Sequence, residues 1–178
     1  MNYYSQAGQD RFVHSIIPKP DGFFLDIGCA GDQWSNTLGL EEIGWSGILV
    51  DIDDTAKGRK GRFIRADAKT VNLNCCPKYV DYLSLDIDEG SLMALQNVMA
   101  HDIRFGIITI EDDQYRFGNR LRDGEHLILE SLGYKLICDD VCGTENMPFE
   151  SWWVSKELLP KAGRFKCKGK LWSDILKL

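Results

Sequence analysis

A chain of 178 residues, 44% of them hydrophobic and 27% charged, is long enough to bury a core and too apolar for a disordered segment. Its formal charge of −6 argues against a nucleic-acid binder, and no apolar run approaches the roughly 18 residues that a membrane span needs. The six cysteines show no paired metal-ligand spacing, the three histidines (His14, His101, His126) are scattered, and the N-terminus lacks a signal-peptide pattern, so reduced thiols in a cytoplasmic protein are the simplest account.

With no internal repeat and no linker, residues 1–178 read as a single domain, with 1–20 as an N-terminal cap helix. Phe23 to Ile27 is the first predicted strand and ends at glycine. Trp34 to Ile43 is the next helix, with apolar Leu38, Leu40 and Ile43, closed by Gly44. Gly47–Asp51, Arg62–Ala66 and Tyr79–Asp86 are strands two to four. Leu92, Leu95, Val98 and Met99 mark a helix by their spacing. Gly106–Glu111 is the fifth strand, Glu125–Leu132 a helix stopped by Gly133, and Tyr134–Cys138 and Ser151–Val154 the last two strands. Alternating strands and helices imply a three-layer, Rossmann-like α/β fold with a mostly parallel sheet; only the last two strands, joined without a helix, are free to pair antiparallel. From Ser155 onward seven Lys/Arg face two acids, so 156–178 reads as a solvated basic segment.

Four strands end in an acid, namely Asp26, Asp51, Asp86 and Glu111, and Asp67 follows the third strand. Open sheets bind ligands at the carboxyl ends of their strands, so these acids share one ligand-binding edge. The turn Asp26-Ile27-Gly28-Cys29-Ala30-Gly31-Asp32-Gln33 fails the dinucleotide fingerprint, because Ala30 and Gln33 stand where glycines are required, and no GK[ST] follows to make a P-loop. Asp26 would also repel a pyrophosphate. A ligand with cationic groups, such as S-adenosylmethionine, fits better. Asp26 can organise its ammonium, Asp51 stands 25 residues on, near the spacing at which an acid meets ribose hydroxyls, and Asp67 can accept from the adenine amino group.

The chain resembles the FkbM-type branch of class I methyltransferases from about Ser5 to Leu158. The resemblance is carried by Ser5-Gln6-Ala7-Gly8-Gln9-Asp10, Phe24-Leu25-Asp26-Ile27-Gly28, Ser35-Asn36-Thr37, Gly44-Trp45-Ser46-Gly47-Ile48-Leu49-Val50, Tyr82-Leu83-Ser84-Leu85-Asp86-Ile87-Asp88, Ile110-Glu111 and Pro148-Phe149-Glu150-Ser151-Trp152-Trp153-Val154. It implies a seven-stranded sheet with a reversed last strand, S-adenosylmethionine as donor, and O-methylation. By position, Asp26, Gly28 and Gly31 look like the cofactor turn, Asp51 and Asp67 like the ribose and adenine-side acids, and Gln9, with Gln6, like a cap near the cofactor.

A hydroxyl acceptor needs its proton removed or its pKa lowered by a metal. The candidates lie after the fourth and fifth strands: Asp86 for acceptor positioning or base work, with Glu111 beside it, and Asp88, Asp112 and Asp113 nearby. A divalent metal on these oxygens is possible but not assigned. Tyr115 and Phe117 are candidate walls of an acceptor pocket, while Trp152 and Trp153 are expected to pack opposite faces of the sheet. The expected partner is a small hydroxylated acceptor such as a sugar, with no nucleic acid. A binding or regulatory protein on the same fold, without acceptor chemistry, stays open as an alternative, as does an NAD-type enzyme on a related sheet.

Overall fold

The computed structural model describes residues 1–29, 31 and 33–177; Ala30 and Asp32, two positions of the first glycine turn, lie outside the described residues. Eight strands form one sheet: β1 (Phe23–Ile27), β2 (Ser46–Asp51), β3 (Arg62–Arg65), β4 (Tyr79–Leu85), β5 (Arg104–Glu111), β6 (Lys135–Cys142), β7 (Pro148–Val154) and β8 (Cys167–Lys168). Their order is β3-β2-β1-β4-β5-β7-β6-β8. β7 runs antiparallel to both β5 and β6, and the other pairings are parallel. The sequence anticipates the reversed strand but stops at seven. The eighth, β8, is two residues long and ends at Gly169, whose φ is +62°, so it has no length over which a strand pattern could show.

Period-two alternation sends neighbouring strand residues into two cores. Leu25, Leu83, Ile108 and Trp153 pack under α3 (Ser91–Met99) and α4 (Arg120–Ser131), through Leu95, Val98 and Leu129. Phe24, Tyr82, Ile107 and Trp152 pack on the other face against Phe12, Val13 and Ile16 of α1 (Gln9–Ile16) and Leu40 of α2 (Leu38–Glu42). The two tryptophans are fully buried on opposite faces, as their alternation requires.

Two expectations need correction. The helix after β1 is only Leu38–Glu42, because the Ser35 hydroxyl accepts from the backbone N–H groups of Thr37 and Leu38, and Thr37 spends its hydroxyl on Asp26. Residues 33–37 thereby become a polar turn instead of a first helical turn. The C-terminal segment is also more than solvated. Its seven Lys/Arg are exposed, but Ala162, Phe165 and Ile175 are buried in the second core. Trp172 and Leu176 lie over Gly8, where a Cβ would come within 2.4 Å of Leu176 Cδ1. No helix among the described residues is long and apolar enough to cross a membrane.

α4 also carries a buried acid. Glu125 is 0% exposed; Ser91 donates to its Oε1 at 2.5 Å, and its Oε2 has no partner. Burial pushes this carboxyl from 4.5 up to about 8. A raised acid contributes its stability in full below the unfolded value and loses it as pH climbs through the folded one, at up to about 1.4 kcal/mol per pH unit. Thermal midpoints of wild type and Glu125→Gln should therefore nearly coincide at pH 5 and separate, with the variant the more stable, at pH 9. Parallel midpoints across that range would show that Glu125 ionises freely.

Candidate active site

The parallel strands bring the acids to one edge. Backbone bonds stitch this edge together: Gly28 N–H donates to Val50 O and Asp86 N–H to Ile27 O, each at 2.9 Å. Gly28 has φ +79°, and a Cβ there would fall 1.7 Å from the Asp86 carbonyl oxygen. Only glycine fits, and the reason is the neighbouring strand's backbone.

Asp26 is 1% exposed and lies behind this turn. It accepts from Thr37 Oγ1 at 2.5 Å. Burial raises its carboxyl to about 6, against the pull of the Thr37 bond and the nearby Arg59 charge. Arg59 reaches in from the β2–β3 loop, donating to Thr37 Oγ1 (2.6 Å), Ser35 Oγ (2.9 Å) and Glu41 Oε2 (3.1 Å). Asp26 therefore anchors a buried network, one layer behind the open surface.

Two openings of about 220 Å³ each flank the edge. The first is lined by Gly28, Val50, Asp51, Ile52, Ala66, Asp67, Ala68, Lys69, Ile87 and Gly90. It unites three of the residues singled out from sequence, Gly28, Asp51 and Asp67. Asp51 accepts from Asp53 N–H (2.9 Å) and Thr55 Oγ1 (3.0 Å), and Asp67 from Lys69 N–H (2.9 Å). Gly31 does not line this opening; it sits against Thr55 O. Gln9 is also elsewhere. Its amide donates to Glu150 Oε2 (2.9 Å) and accepts from Ala7 N–H (2.9 Å), so it ties α1 to β7.

The second opening is lined by Gln6, Glu111, Asp113, Tyr115, Gly143, Thr144, Met147 and Phe149. Tyr115 walls it, as expected; Phe117 does not line it and lies under the Arg116 guanidinium, 4.9 Å from the ring centroid. Between the openings, Asp86 and Glu111 hydrogen-bond each other. Burial, the Asp86 bond and surrounding acids push Glu111 up to about 11, and burial also raises Asp86. Each acid hinders the other's ionisation, so the two titrate as a coupled pair. Asn36 donates through Nδ2 to Ser84 Oγ (3.0 Å) and Asp86 Oδ2 (3.4 Å), while its buried Oδ1 has no partner. Glu150, 2% exposed, faces Glu111 in register, and burial raises its carboxyl far above the usual range.

Carboxylate oxygens of Asp88, Glu111 and Asp113 lie within 4.8 Å of one another, a spacing that suits a hard cation. Arg116 already bridges Asp88 (2.6 Å) and Asp113 (2.8 Å), so one charge of the trio is offset from within. A larger recess of about 630 Å³ lies at the opposite edge, among Tyr79, Arg104, Phe105, Tyr134 and Lys156, where none of the strand-end acids reaches.

Asn36, Arg59 and Glu150 take part in the site without having been singled out for it. Glu150 carried a readable signal, being an acid between Phe149 and the buried Ser151-Trp152-Trp153 run. Arg59 carried none, since Gly58-Arg59-Lys60-Gly61 reads as an ordinary basic turn.

No protein-family model matches the chain, and no curated protein does. Solved structures do match. A TehB-like S-adenosylmethionine-dependent methyltransferase from Corynebacterium glutamicum is 18% identical, with TM-score 0.59 over 87% of this chain and 89% of that one. A Burkholderia thailandensis 1,6-didemethyltoxoflavin-N1-methyltransferase, solved with its substrate and S-adenosylhomocysteine, is 12% identical, with TM-score 0.58 over 84% and 77%. An rRNA methylase from Streptococcus thermophilus is 11% identical, with TM-score 0.55 over 87% and 98%. At these identities the likeness is one of architecture: the chain has the α/β fold of class I methyltransferases, with its reversed strand in the sheet.

Proposed function

We propose that this chain is an S-adenosylmethionine-dependent methyltransferase that methylates a hydroxyl on a sugar or other small metabolite, in the manner of the FkbM-type branch its sequence resembles. The observation that carries this reading is the pair of openings on one sheet edge, with the coupled Asp86–Glu111 pair between them. In this reading residues 1–178 act as one domain, with 1–20 as its cap and 156–178 as its basic tail.

The residues present suit the cofactor. Asn36 Oδ1 is a buried acceptor without a donor, and the cofactor's ammonium is a donor. Asp51 and Asp67 offer carboxylate oxygens to ribose hydroxyls and an adenine amino group in the first opening. When bound, S-adenosylmethionine supplies an electrophilic methyl on a sulfonium. In this reading the Glu111 carboxyl stays protonated and donates a hydrogen bond to an ionised Asp86, which Asn36 also holds. Asp86 then takes the acceptor hydroxyl's proton at a carboxylate oxygen. Tyr115, Met147 and Phe149 provide apolar walls against which the acceptor is positioned, and the acidic floor disfavours a polyanion such as nucleic acid.

Titration calorimetry tests the donor half of this reading. S-adenosylmethionine and S-adenosylhomocysteine should bind and NAD should not. Asp51→Ala should weaken both adenosyl ligands by about 10-fold or more, since a hydrogen bond to a charged group contributes about 1.5–3 kcal/mol. Binding of NAD alone would overturn the proposal.

A further inference from the structure

Cys138 of β6 and Cys167 of β8 are direct partners in a parallel pair. Adjacent strands lie about 4.7–4.9 Å apart, inside the roughly 4.4–6.8 Å Cα window of a disulfide. Paired residues of neighbouring strands present their side chains on the same face, so the two thiols are neighbours. Their surroundings differ. Cys138 is fully buried, and its thiol also donates to Phe165 O at 3.3 Å. Cys167 is half-buried, on the outermost strand of the sheet.

We propose that Cys138 and Cys167 form a thiol–disulfide exchange site that reacts with small-molecule disulfides and, once oxidised, fastens the C-terminal segment to the sheet. The Cys167 thiolate attacks one sulfur of the small disulfide, forming a mixed disulfide and releasing one thiolate. The Cys138 sulfur then attacks the Cys167 sulfur, giving the Cys138–Cys167 bond and releasing the second thiolate. Two protein thiols become one disulfide, and one small disulfide becomes two thiols, the protons passing to the released thiolates.

The division of labour follows from the surroundings. The adjoining Cys138 thiol and the nearby Lys170 charge draw the Cys167 thiol below its ordinary range, while the adjoining Cys167 thiol and burial push the Cys138 thiol up. The accessible partner is thus the better attacker, and the buried one resolves. Cys75 is exposed, but its neighbour Cys76 is buried and burial raises its thiol to about 11, so that adjacent pair offers no comparable exchange. Oxidation would matter beyond β8, because the segment that follows it lays Trp172 and Leu176 over Gly8, at the foot of α1.

The test is to incubate the intact protein with oxidised glutathione and map thiols by peptide mass spectrometry, with and without reduction. The expected product is a peptide pair linked through Cys138 and Cys167. In Cys138→Ser, Cys167 should instead retain a stable glutathione adduct, and in Cys167→Ser neither product should form. The cross-linked wild type should also gain about 5 °C or more in thermal midpoint, as closing a loop of this size predicts. A stable adduct on Cys167 in the wild type, modification confined to Cys75, or a cross-link with no thermal gain would each overturn the proposal. None of these readouts depends on methyl transfer.

Discussion

Asp86→Asn should abolish methyl transfer, lowering turnover by about 10²–10⁴-fold, while leaving S-adenosylmethionine affinity largely intact. The amide has the shape of the carboxylate and can still accept from the Glu111 O–H, so the strand end keeps its path. What it cannot do is take a proton. In the proposed mechanism Asp86 is the member of the pair that accepts one, since burial and neighbouring acids push the Glu111 carboxyl up to about 11. Release of S-adenosylhomocysteine, measured with a panel of hydroxylated acceptors, is the readout, and calorimetry on the same preparation reports the cofactor. Full activity in the variant would remove Asp86 from the chemistry. A wild type that binds cofactor yet releases no product with any acceptor would favour a binding or regulatory protein on this fold.

Glu41→Ala should cost about 3–5 kcal/mol of folding stability. Arg59 and Glu41 are each 2% exposed at the side chain and sit 3.1 Å apart. Burying two charges is expensive, and removing Glu41 takes away the ion pair that offsets the cost of burying Arg59. Glu41 also accepts from the backbone N–H groups of Lys60 (3.2 Å) and Gly61 (2.9 Å), so the alanine variant strips two further bonds. Against a typical domain stability of about 5–15 kcal/mol this is a large share. Urea unfolding at constant m-value is the measurement. A loss under about 1 kcal/mol would mean that the pair is solvated. The effect should reach the site as well, because Arg59 holds Ser35 and Thr37, and Thr37 holds Asp26. Cofactor affinity should fall along with stability.

Seven of the eight strands were legible as short apolar runs, the first five with an acid at or near the end, a pattern that needs no tertiary information. The reversed strand was legible because no helix separates β6 from β7. Residues 34–37 were misread as helix, since Leu38, Leu40 and Ile43 suggest a helical face while the Ser35 hydroxyl accepts from the backbone N–H groups of Thr37 and Leu38 and the Thr37 hydroxyl donates to Asp26. Gln9 was placed beside the cofactor because it lies in a family-like segment. Its partner, Glu150, is 141 residues away, and that distance hides the bond from any local pattern. Arg59 was invisible for the same reason. Its role rests on Glu41, Ser35 and Thr37, which only the folded chain gathers around it. Asp51 and Asp67 fell into one opening because both follow adjacent parallel strands, a relation that strand order alone predicts.

Gly28 has a bearing on how this site can change. Its α-carbon abuts the Asp86 carbonyl so closely that no side chain can be added at 28 without moving the end of β4. The turn beside the donor opening and the strand carrying the proposed base are therefore a single mechanical unit. A mutation that reshapes the first half perturbs the second, whatever ligand is bound. Under the proposed function, variation in the acceptor has a freer route through Tyr115 and Met147, which line the other opening. Diversification of acceptors with a frozen donor edge is the evolutionary pattern this packing would enforce, and directed evolution of the chain should meet the same asymmetry.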